Sequence, residues 1–268
     1  MKKIAILYIA TGKYIEFWDR FYNECEQYFL RNHEKTYFIW TDADEFTHQN
    51  NLRVHTIYQE QLHWPFPTLL RFKFFRTQKE LLKDYDYIYF FNANISFLAD
   101  VGEEIFPSDS QGLMVALHPG FYKRPRKDFT YEKRKDSLAY IPKNKGKHYV
   151  LGGFNGGTSK AFLKLIDDLY RAIQYDLERG VIAIWHDESH LNKYILNKNP
   201  LLIEPPYILA EGIDKISIED ARSLRESKGG GYVDYLFLTK MQAIKIMKRI
   251  KFIPTFVDIE KKTKVAYA

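Results

Sequence analysis

Short runs of apolar residues alternate along the chain with longer segments in which apolar residues recur every three or four positions. Residues 3–10, apolar from position 4 onward, predict a buried strand, and residues 14–28 carry aromatic and Cys side chains at the spacing of an amphipathic helix. The same alternation predicts strands at 35–41, 53–57, 86–91 and 112–118, and helices at 68–83, 162–177 and 188–196. Strands that alternate with helices predict an α/β fold of the doubly wound type.

No repeat or low-complexity linker divides the 268 residues, so we predict a single domain over residues 1–268. Two segments have the composition of mobile loops: the basic stretch 120–147, and residues 226–231, which contain three consecutive glycines. Such loops commonly close over ligands. From about residue 212 we predict a basic, mobile C-terminal segment.

The apolar runs are too short to span a membrane, and Met1-Lys2-Lys3 leads into the first strand without a signal-peptide cleavage pattern. We therefore expect a soluble cytoplasmic protein. Cys25 is the only cysteine, which excludes an intramolecular disulfide and a cysteine–metal cluster.

The formal net charge of +6 and the pI of about 9.0 favour anionic ligands, and the aromatic content of 16% suits surfaces that stack on bases or sugars. An RNA-binding module is disfavoured, since the basic residues are dispersed and no single-strand-binding signature occurs. Residues 235–251 interleave apolar and basic side chains. This pattern fits a helix over a phosphate site, or peripheral contact with an acidic membrane.

Asn92 and Asn94 stand at the end of the predicted buried strand 86–91, separated by Ala93. Ligands of open α/β sheets bind beyond the carboxyl ends of the strands, so these residues are candidates for a binding site. Their neutral amide oxygens are poor ligands for a hard divalent cation, but their N–H groups can donate to sugar hydroxyls or phosphate oxygens. A strand-ending turn without a binding role is the structural alternative.

Residues 185–190, Trp-His-Asp-Glu-Ser-His, gather an aromatic plate, two imidazoles and two carboxylates at the start of a predicted helix. His186 and His190 have the i, i+4 spacing of a zinc site, but no third ligand is evident. Asp187 and Glu188 also suit the N-terminal end of a helix dipole. Carboxylates beside Trp185 are typical of a carbohydrate site, where one acid stabilises an oxocarbenium-like centre.

Residues 151–157, Leu-Gly-Gly-Phe-Asn-Gly-Gly, carry four glycines in seven positions, which lets a ligand or another strand approach the backbone closely. The spacing is not that of a dinucleotide fingerprint or a P-loop. The local pattern predicts a kinked strand and a turn before the helix near residue 160.

The order of these segments resembles glycosyltransferase family 6, which contains the histo-blood-group A and B transferases and α-1,3-galactosyltransferase. The resemblance rests on His118-Pro119-Gly120-Phe121-Tyr122, Phe129-Thr130-Tyr131-Glu132, Ala139-Tyr140-Ile141-Pro142, Leu151-Gly152-Gly153-Phe154 and the run from Trp185 to Tyr194. It covers residues 118–194 densely and extends loosely back to Tyr14.

The resemblance implies a GT-A type fold, with a mixed, mostly parallel central sheet flanked by helices. It also implies retaining transfer of galactose or N-acetylgalactosamine from a UDP-sugar donor to O3 of galactose. The catalytic glutamate of the family corresponds to Glu188, and Asp187 corresponds to a residue that binds donor hydroxyls. The residues implied to face the acceptor are His118, Thr130, Trp185 and Glu188. Retention involves either a covalent intermediate on the carboxylate or same-face attack.

The triplet Leu151, Gly152 and Gly153 resembles the A-type enzymes, which use N-acetylgalactosamine, because a glycine leaves room for the acetamido group. The acceptor implied by the same resemblance is a fucosylated galactoside, Fucα1-2Gal. Ala210 and Glu211 fall where the family has a differently placed acidic acceptor residue.

Asn92-Ala93-Asn94 stands where animal members of the family carry Asp-x-Asp and hold Mn²⁺ against the diphosphate. We therefore expect no divalent metal and no other cofactor, with protein cations supplying the charge. Lys228 is the first candidate and Arg71 the second. By the same resemblance, the stretch that contacts uridine is Ala10, Thr11 and Tyr14.

The sequence thus predicts a retaining, metal-independent α-1,3-N-acetylgalactosaminyltransferase. Two alternatives remain: an α-1,3-galactosyltransferase that uses UDP-Gal, and a catalytically inactive carbohydrate-binding protein. The acidic pair next to Trp185 argues against the inactive protein.

Overall fold

The computed structural model describes residues 1–97 and 100–204, together with the strand segments Ile208–Leu209 and Tyr235–Phe237. Lys228, Ala210, Glu211 and most of the basic C-terminal segment lie outside the described residues. None of the helices within the described ranges has the length and apolar character needed to cross a membrane.

Ten strands and six α-helices follow one another along the described chain. The strands are β1 (Lys3–Ile9), β2 (Glu34–Thr41), β3 (Val54–Tyr58), β4 (Tyr87–Asn92), β5 (Ile95–Phe97), β6 (Leu113–Leu117), β7 (Val150–Thr158), β8 (Leu201–Ile203), β9 (Ile208–Leu209) and β10 (Tyr235–Phe237). The helices are α1 (Trp18–Tyr28), α2 (Phe66–Leu69), α3 (Arg71–Thr77), α4 (Lys79–Leu82), α5 (Ser159–Glu178) and α6 (His186–Ile195). Short 3-10 helices cover Gly12–Phe17, Glu103–Ile105, Pro119–Phe121 and Arg126–Asp128.

Seven strands form the central sheet in the order β3-β2-β1-β4-β7-β6-β8. Strand β7 runs antiparallel to both of its neighbours, and the other adjacent strands pair in parallel. A smaller sheet pairs β5 with β10 and β10 with β9. The mixed, mostly parallel sheet agrees with the predicted fold class.

Both faces of the central sheet are covered at β1, β2, β4 and β6, which explains why these strands are continuous apolar runs in the sequence. Along β1, Ile4, Ile6 and Tyr8 point into a core cluster with residues of α1, whereas Ala5 and Leu7 point into a second cluster with residues of α3, α5 and α6. This alternation is the two-residue period of a strand that is buried on both sides.

Two segments differ from the predicted elements. Residues 68–83 form three short helices instead of one, because the backbone leaves the helical region at Leu70 (φ −97°, ψ 6°) and Gln78 (φ −105°, ψ 13°). The glycine-rich run is a full strand, β7, in the middle of the sheet. The predicted kink corresponds to a shift of register against β6, between Val115 and Leu117.

The topology brings separate parts of the chain to one edge of the sheet. Strands β1, β4 and β6 end there, and β7 begins there because it runs in the opposite direction. This edge therefore carries Ala10, Asn92, His118 and the start of β7.

Candidate active site

The carboxylate of Glu188 lies in the first turn of α6 and faces the start of β7. Its Oε1 accepts a hydrogen bond from the Tyr149 hydroxyl at 2.9 Å, and its Oε2 accepts one from the Gly152 backbone N–H at 2.8 Å. The side chain is half-buried. Desolvation raises the pKa of Glu188 to about 7, although the Gly152 N–H, the Tyr149 hydroxyl and the nearby charge of Arg71 all favour the ionised form. Two donors thus hold a carboxylate that can exchange its proton near neutral pH.

Asp187 forms a buried ion pair with Arg71. Nε of Arg71 lies 3.1 Å from Oδ2 of Asp187, and each side chain is only 5% exposed. Arg71 also donates to the carbonyl oxygens of Gly152 at 2.9 Å and Thr68 at 3.2 Å, and its guanidinium lies over the Phe90 ring. Burial raises the pKa of Asp187 to about 7, against the opposing effect of the guanidinium. The ion pair joins α3 to α6, and the hydrogen bond from Arg71 to Gly152 joins both helices to β7 beside Glu188.

The remaining members of the 185–190 run have separate roles. Trp185 is 37% exposed, whereas the ring of His186 is buried with its edge against Trp64. The backbone of His186 has a positive φ of 51°, an uncommon conformation for a residue with a side chain. His190 points away from this face, 3.5 Å from Asp176 and fully buried with it.

The two alternatives for this run are not supported. His186 and His190 face different surroundings, and the residues that the structure describes include no group of three His, Cys, Asp or Glu side chains placed to hold a metal ion. A capping role alone does not account for the acids, because Asp187 pairs with Arg71 and Glu188 with Tyr149 and Gly152.

The glycines of β7 fall into two pairs with different neighbours. A methyl group on Gly153 would lie 2.6 Å from Nδ2 of Asn92, and one on Gly152 would lie 3.2 Å from Oδ2 of Asp187 and 3.1 Å from Cβ of Glu188. Gly152 and Gly153 therefore leave room for the side chains of Asn92, Asp187 and Glu188 at the site. A methyl group on Gly156 would instead strike the Tyr89 ring at 2.2 Å, so the second pair serves strand packing. Leu151 is buried in the core cluster on the α1 face.

Tyr149 is a site residue that sequence reasoning missed. Its hydroxyl contacts Glu188 and also accepts a hydrogen bond from Thr130 Oγ1 at 3.2 Å, and its ring meets the His118 ring edge-on at 5.8 Å. Two of the predicted acceptor-side residues are thus connected to Glu188 through one tyrosine. Its only sequence signal is its position immediately before the glycine-rich strand.

His118 follows β6 and is half-buried. Its Nδ1 accepts a hydrogen bond from the Gly120 N–H at 3.1 Å, and burial lowers its pKa to about 4. The imidazole is therefore neutral at physiological pH, with the proton on Nε2, where it can donate to a ligand.

The loop 118–147 contains only two short 3-10 helices, but it is anchored by an aromatic cluster. That cluster contains Phe129, Tyr131, Ile141 and Tyr149, with Phe121 packed against it. The anchored loop thereby places Thr130 within hydrogen-bonding distance of Tyr149, which contacts Glu188.

The predicted donor-side residues lie at the same edge of the sheet, around the ends of β1 and β4. Ala10 and Thr11 are buried, and Tyr14 is half-buried with its N–H donating to the Thr11 carbonyl. Ala93 is buried, and its carbonyl accepts a hydrogen bond from Tyr8 at 2.9 Å.

Sequence reasoning also missed Asp42, which follows β2. Its Oδ1 accepts the Gly12 N–H at 2.6 Å and so fixes the turn after β1. Asn92 and Asn94 are both half-buried, and Asn92 stands opposite Gly153.

A divalent metal does not fit the described residues of this edge. Asn92 and Asn94 supply only neutral amide groups, whereas hard cations such as Mn²⁺ are bound through carboxylates. The buried carboxylate of Asp187 is paired with Arg71. Metal independence stays a prediction.

Comparison with known proteins gives one consistent result. The sequence profile of glycosyltransferase family 6 matches residues 2–229. The O-antigen biosynthesis glycosyltransferase WbnI of Escherichia coli is 36% identical over 204 residues, which cover 76% of this chain and 86% of WbnI.

Animal proteins are also similar. Histo-blood group ABO system transferase 1 of Rattus norvegicus is 33% identical over 214 residues, and globoside alpha-1,3-N-acetylgalactosaminyltransferase 1 of Homo sapiens is 28% identical over 213 residues. Each match covers 76% of this chain but only 60% of the animal protein. The family that residues 118–194 predicted is confirmed, and so is the α/β fold of GT-A type. The chain is a glycosyltransferase that belongs to family 6.

Proposed function

We propose that the protein is a retaining α-1,3-N-acetylgalactosaminyltransferase that moves GalNAc from UDP-GalNAc to O3 of galactose in a Fucα1-2Gal acceptor without a divalent metal. The observation that carries the proposal is the carboxylate of Glu188, held by Tyr149 and Gly152 beside the Asp187–Arg71 ion pair. Two relatives, the ABO transferase and the globoside GalNAc-transferase, carry names that agree with this class of transfer.

Glu188 has the role of stabilising positive charge at the anomeric carbon. As the bond to UDP breaks, the electron pair leaves with the diphosphate and the sugar becomes oxocarbenium-like. An ionised carboxylate on the opposite side of the ring either stabilises that charge or forms a bond to the anomeric carbon, which breaks when O3 of the acceptor attacks. The proton of the O3 hydroxyl passes to an oxygen of the departed diphosphate. Asp187 binds the donor sugar, and Arg71 holds Asp187 in place.

The donor preference rests on Gly153. A side chain at this position would compete with Asn92 for space, so the glycine keeps both the amide and the adjoining volume available. UDP-Gal is the alternative donor. The difference of one acetamido group is worth about 1–3 kcal/mol in such a pocket.

The acceptor side comprises His118, Thr130 and Trp185. His118 offers a neutral N–H donor, Thr130 a hydroxyl, and Trp185 an exposed ring on which a sugar can stack. Trp185 lies three residues before Glu188, and His118 and Thr130 both contact Tyr149, whose hydroxyl donates to Glu188. Transfer to an acceptor hydroxyl requires acceptor-binding groups close to the catalytic carboxylate.

Cations of the protein compensate the charge of the leaving diphosphate. Arg71, the second candidate, already has its Nε atom engaged by Asp187 and Thr68 and its Nη1 atom by Gly152, which favours Lys228 for this role. Arg20 is a further candidate, because its Nε and Nη2 atoms are buried without a hydrogen-bond acceptor among the described residues.

Nε of Arg20 lies 3.7 Å from Oε1 of Glu24, one turn later on α1, an ion pair longer than a hydrogen bond. The Glu24 carboxylate accepts hydrogen bonds from Ser96 and from the backbone of Phe97, just beyond the Asn92-Ala93-Asn94 turn. Lys228→Ala and Arg20→Met test the two cations through the dissociation constant for UDP. A variant that binds UDP as tightly as the wild type, while remaining folded, removes its residue from this role.

The decisive experiment measures transfer from UDP-GalNAc and from UDP-Gal to 2'-fucosyllactose, with and without EDTA. We expect transfer of GalNAc at an unchanged rate in EDTA, with product in the α-anomeric form. Strict dependence on Mn²⁺ overturns the metal-independent mechanism, and a higher kcat/KM with UDP-Gal overturns the donor assignment. Lack of transfer to 2'-fucosyllactose, with transfer to unfucosylated lactose, overturns the acceptor assignment.

A further inference from the structure

We propose that Tyr149 is a positioning residue that orients the Glu188 carboxylate and couples it to the acceptor-side loop. The inference rests on the proposed function, since it concerns the same carboxylate. Tyr149 immediately precedes β7, and its hydroxyl lies 2.9 Å from Oε1 of Glu188.

The hydroxyl supplies one of the two hydrogen bonds that the Glu188 carboxylate accepts within the described residues. The other donor is the Gly152 backbone N–H, on the second carboxylate oxygen. Two donors on two different oxygens fix both the position and the rotation of a carboxylate, whereas a single donor leaves rotation free. Donors to a carboxylate also favour its ionised form, which here counteracts desolvation.

Tyr149 is itself held rigidly from the acceptor side. Its ring packs against Phe121 at 4.5 Å and stacks with Tyr131 at 5.3 Å. Thr130 donates to its hydroxyl, and the backbone N–H of His118 donates to its carbonyl at 2.9 Å. A shift of the loop that carries His118 and Thr130 therefore moves the donor that orients Glu188. Tyr149 therefore couples the binding of an acceptor at this loop to the alignment of the Glu188 carboxylate.

The test is Tyr149→Phe, which keeps the ring in the aromatic cluster and removes only the hydroxyl. Tyr131→Phe is the matched control, because Tyr131 stacks on the same ring but its hydroxyl donates to the carbonyl of His148 and not to a carboxylate. We expect kcat/KM for transfer to fall roughly 10- to 100-fold in Tyr149→Phe, consistent with loss of one hydrogen bond to a charged group. The dissociation constant for UDP is expected to stay unchanged, and Tyr131→Phe to behave as the wild type.

A second measurement separates positioning from a merely structural role and does not depend on the acceptor. The pKa of Glu188 is followed by 13C NMR of carboxyl-labelled glutamate, with Glu188→Gln to assign the signal. We expect the pKa to rise by roughly one unit in Tyr149→Phe and to stay constant in Tyr131→Phe. An unchanged pKa of Glu188 together with an unchanged kcat/KM overturns the inference.

The two proposals fail in distinguishable ways. If fucosylated galactosides are not acceptors, the proposed function fails, while the titration of Glu188 in the two tyrosine variants still decides the role of Tyr149. If transfer occurs as proposed but Tyr149→Phe and Tyr131→Phe lower kcat/KM equally, without a shift in the pKa of Glu188, Tyr149 serves packing alone.

Discussion

Nε of Arg71 lies 3.1 Å from Oδ2 of Asp187, and the two side chains are almost completely buried. An ion pair in such a position contributes less through its own attraction than through the cost of separating it, since removing one partner leaves an uncompensated charge in the interior. The pair therefore fixes the geometry of the first turn of α6, where Glu188 also lies.

We expect Arg71→Met to destabilise the protein by about 3–5 kcal/mol, because it leaves Asp187 buried without a counter-charge. The loss should be larger at pH 9 than at pH 6. The pKa of Asp187 is about 7 in the folded wild type and rises further without Arg71, whereas in the unfolded chain it stays near its usual low value. As the pH rises from 6 to 9, the unfolded variant is already ionised at Asp187, but the folded variant is not, so the free energy of unfolding of the variant keeps falling. Urea denaturation at the two pH values measures both effects.

The matched control is Arg76→Met on the same helix. Arg76 is 52% exposed and pairs with Asp167 at the surface, so its loss should cost less than about 1 kcal/mol and show no growth of the effect above pH 7. Equal losses for the two variants would contradict the structural role of the buried pair.

Much of the fold follows from local pattern. The apolar runs of β1, β2, β4 and β6 are buried on both faces, and this burial explains why each can be predicted from the sequence as a strand. The direction of β7 was not predictable in the same way. Gly156 lets Tyr89 of β4 approach, and Gly157 lets Leu113 of β6 approach. The pairing of β7 therefore depends on three segments that are far apart in the sequence, and no local pattern reveals it.

The candidate site likewise contains residues that local sequence predicts and residues that only the three-dimensional contacts reveal. Glu188 and Asp187 were identified because both acids stand beside Trp185 in one short run, and the resemblance gave them roles. Tyr149 gave no comparable signal, since a tyrosine before a strand is ordinary until its hydroxyl is placed against a carboxylate. Likewise, its place on a predicted basic helix and the family resemblance made Arg71 a phosphate candidate, and only its contacts show that its Nε and Nη1 atoms are engaged within the protein.

Glu188→Gln should lose roughly a hundredfold or more in turnover while binding UDP-GalNAc with nearly the wild-type dissociation constant. The isosteric amide keeps the volume and can still accept from Gly152, but it cannot carry the negative charge. Isothermal titration calorimetry and initial rates measure the two quantities. A large loss of donor affinity would instead make Glu188 a binding residue.

The same variant should be more stable than the wild type at pH 8. The pKa of Glu188 is about 7 in the folded protein and 4.5 for an unperturbed glutamate, so the folded state favours the protonated form. That stabilisation is complete below pH 4.5 and is lost as the pH rises through 7. We expect a gain of about 1–2 kcal/mol for Glu188→Gln at pH 8, which disappears near pH 4.5. Melting temperatures across this range test the sign.

For the wild type, kcat/KM should rise with pH between 6 and 8. The rise follows ionisation of Glu188, coupled to that of Asp187, since the pKa of each carboxyl is about 7. Burial lowers the pKa values of His118 and His186 to about 4, so neither imidazole titrates in this interval. A flat profile over the interval would show that the ionisation of the acidic pair does not limit the reaction.

Gly153→Ala should lower the preference for UDP-GalNAc over UDP-Gal by roughly 10- to 100-fold, measured as the ratio of the two kcat/KM values. The added methyl group meets Nδ2 of Asn92 at 2.6 Å, so either the amide moves or the donor sugar loses space. Displacement of Asn92 alone affects both donors, because both carry the same diphosphate and ring hydroxyls near that turn. Crowding of the acetamido group affects only UDP-GalNAc.

Asn92→Ala separates these two causes, since it removes the amide without adding volume at position 153. We expect this variant to lower kcat/KM for both donors by a similar factor and to leave their ratio within about twofold of the wild type. Gly153→Ala must change the ratio itself if the glycine sets donor choice. A ratio that stays constant in Gly153→Ala, with both rates reduced as in Asn92→Ala, would show that the glycine serves to accommodate Asn92 and that another residue selects the donor.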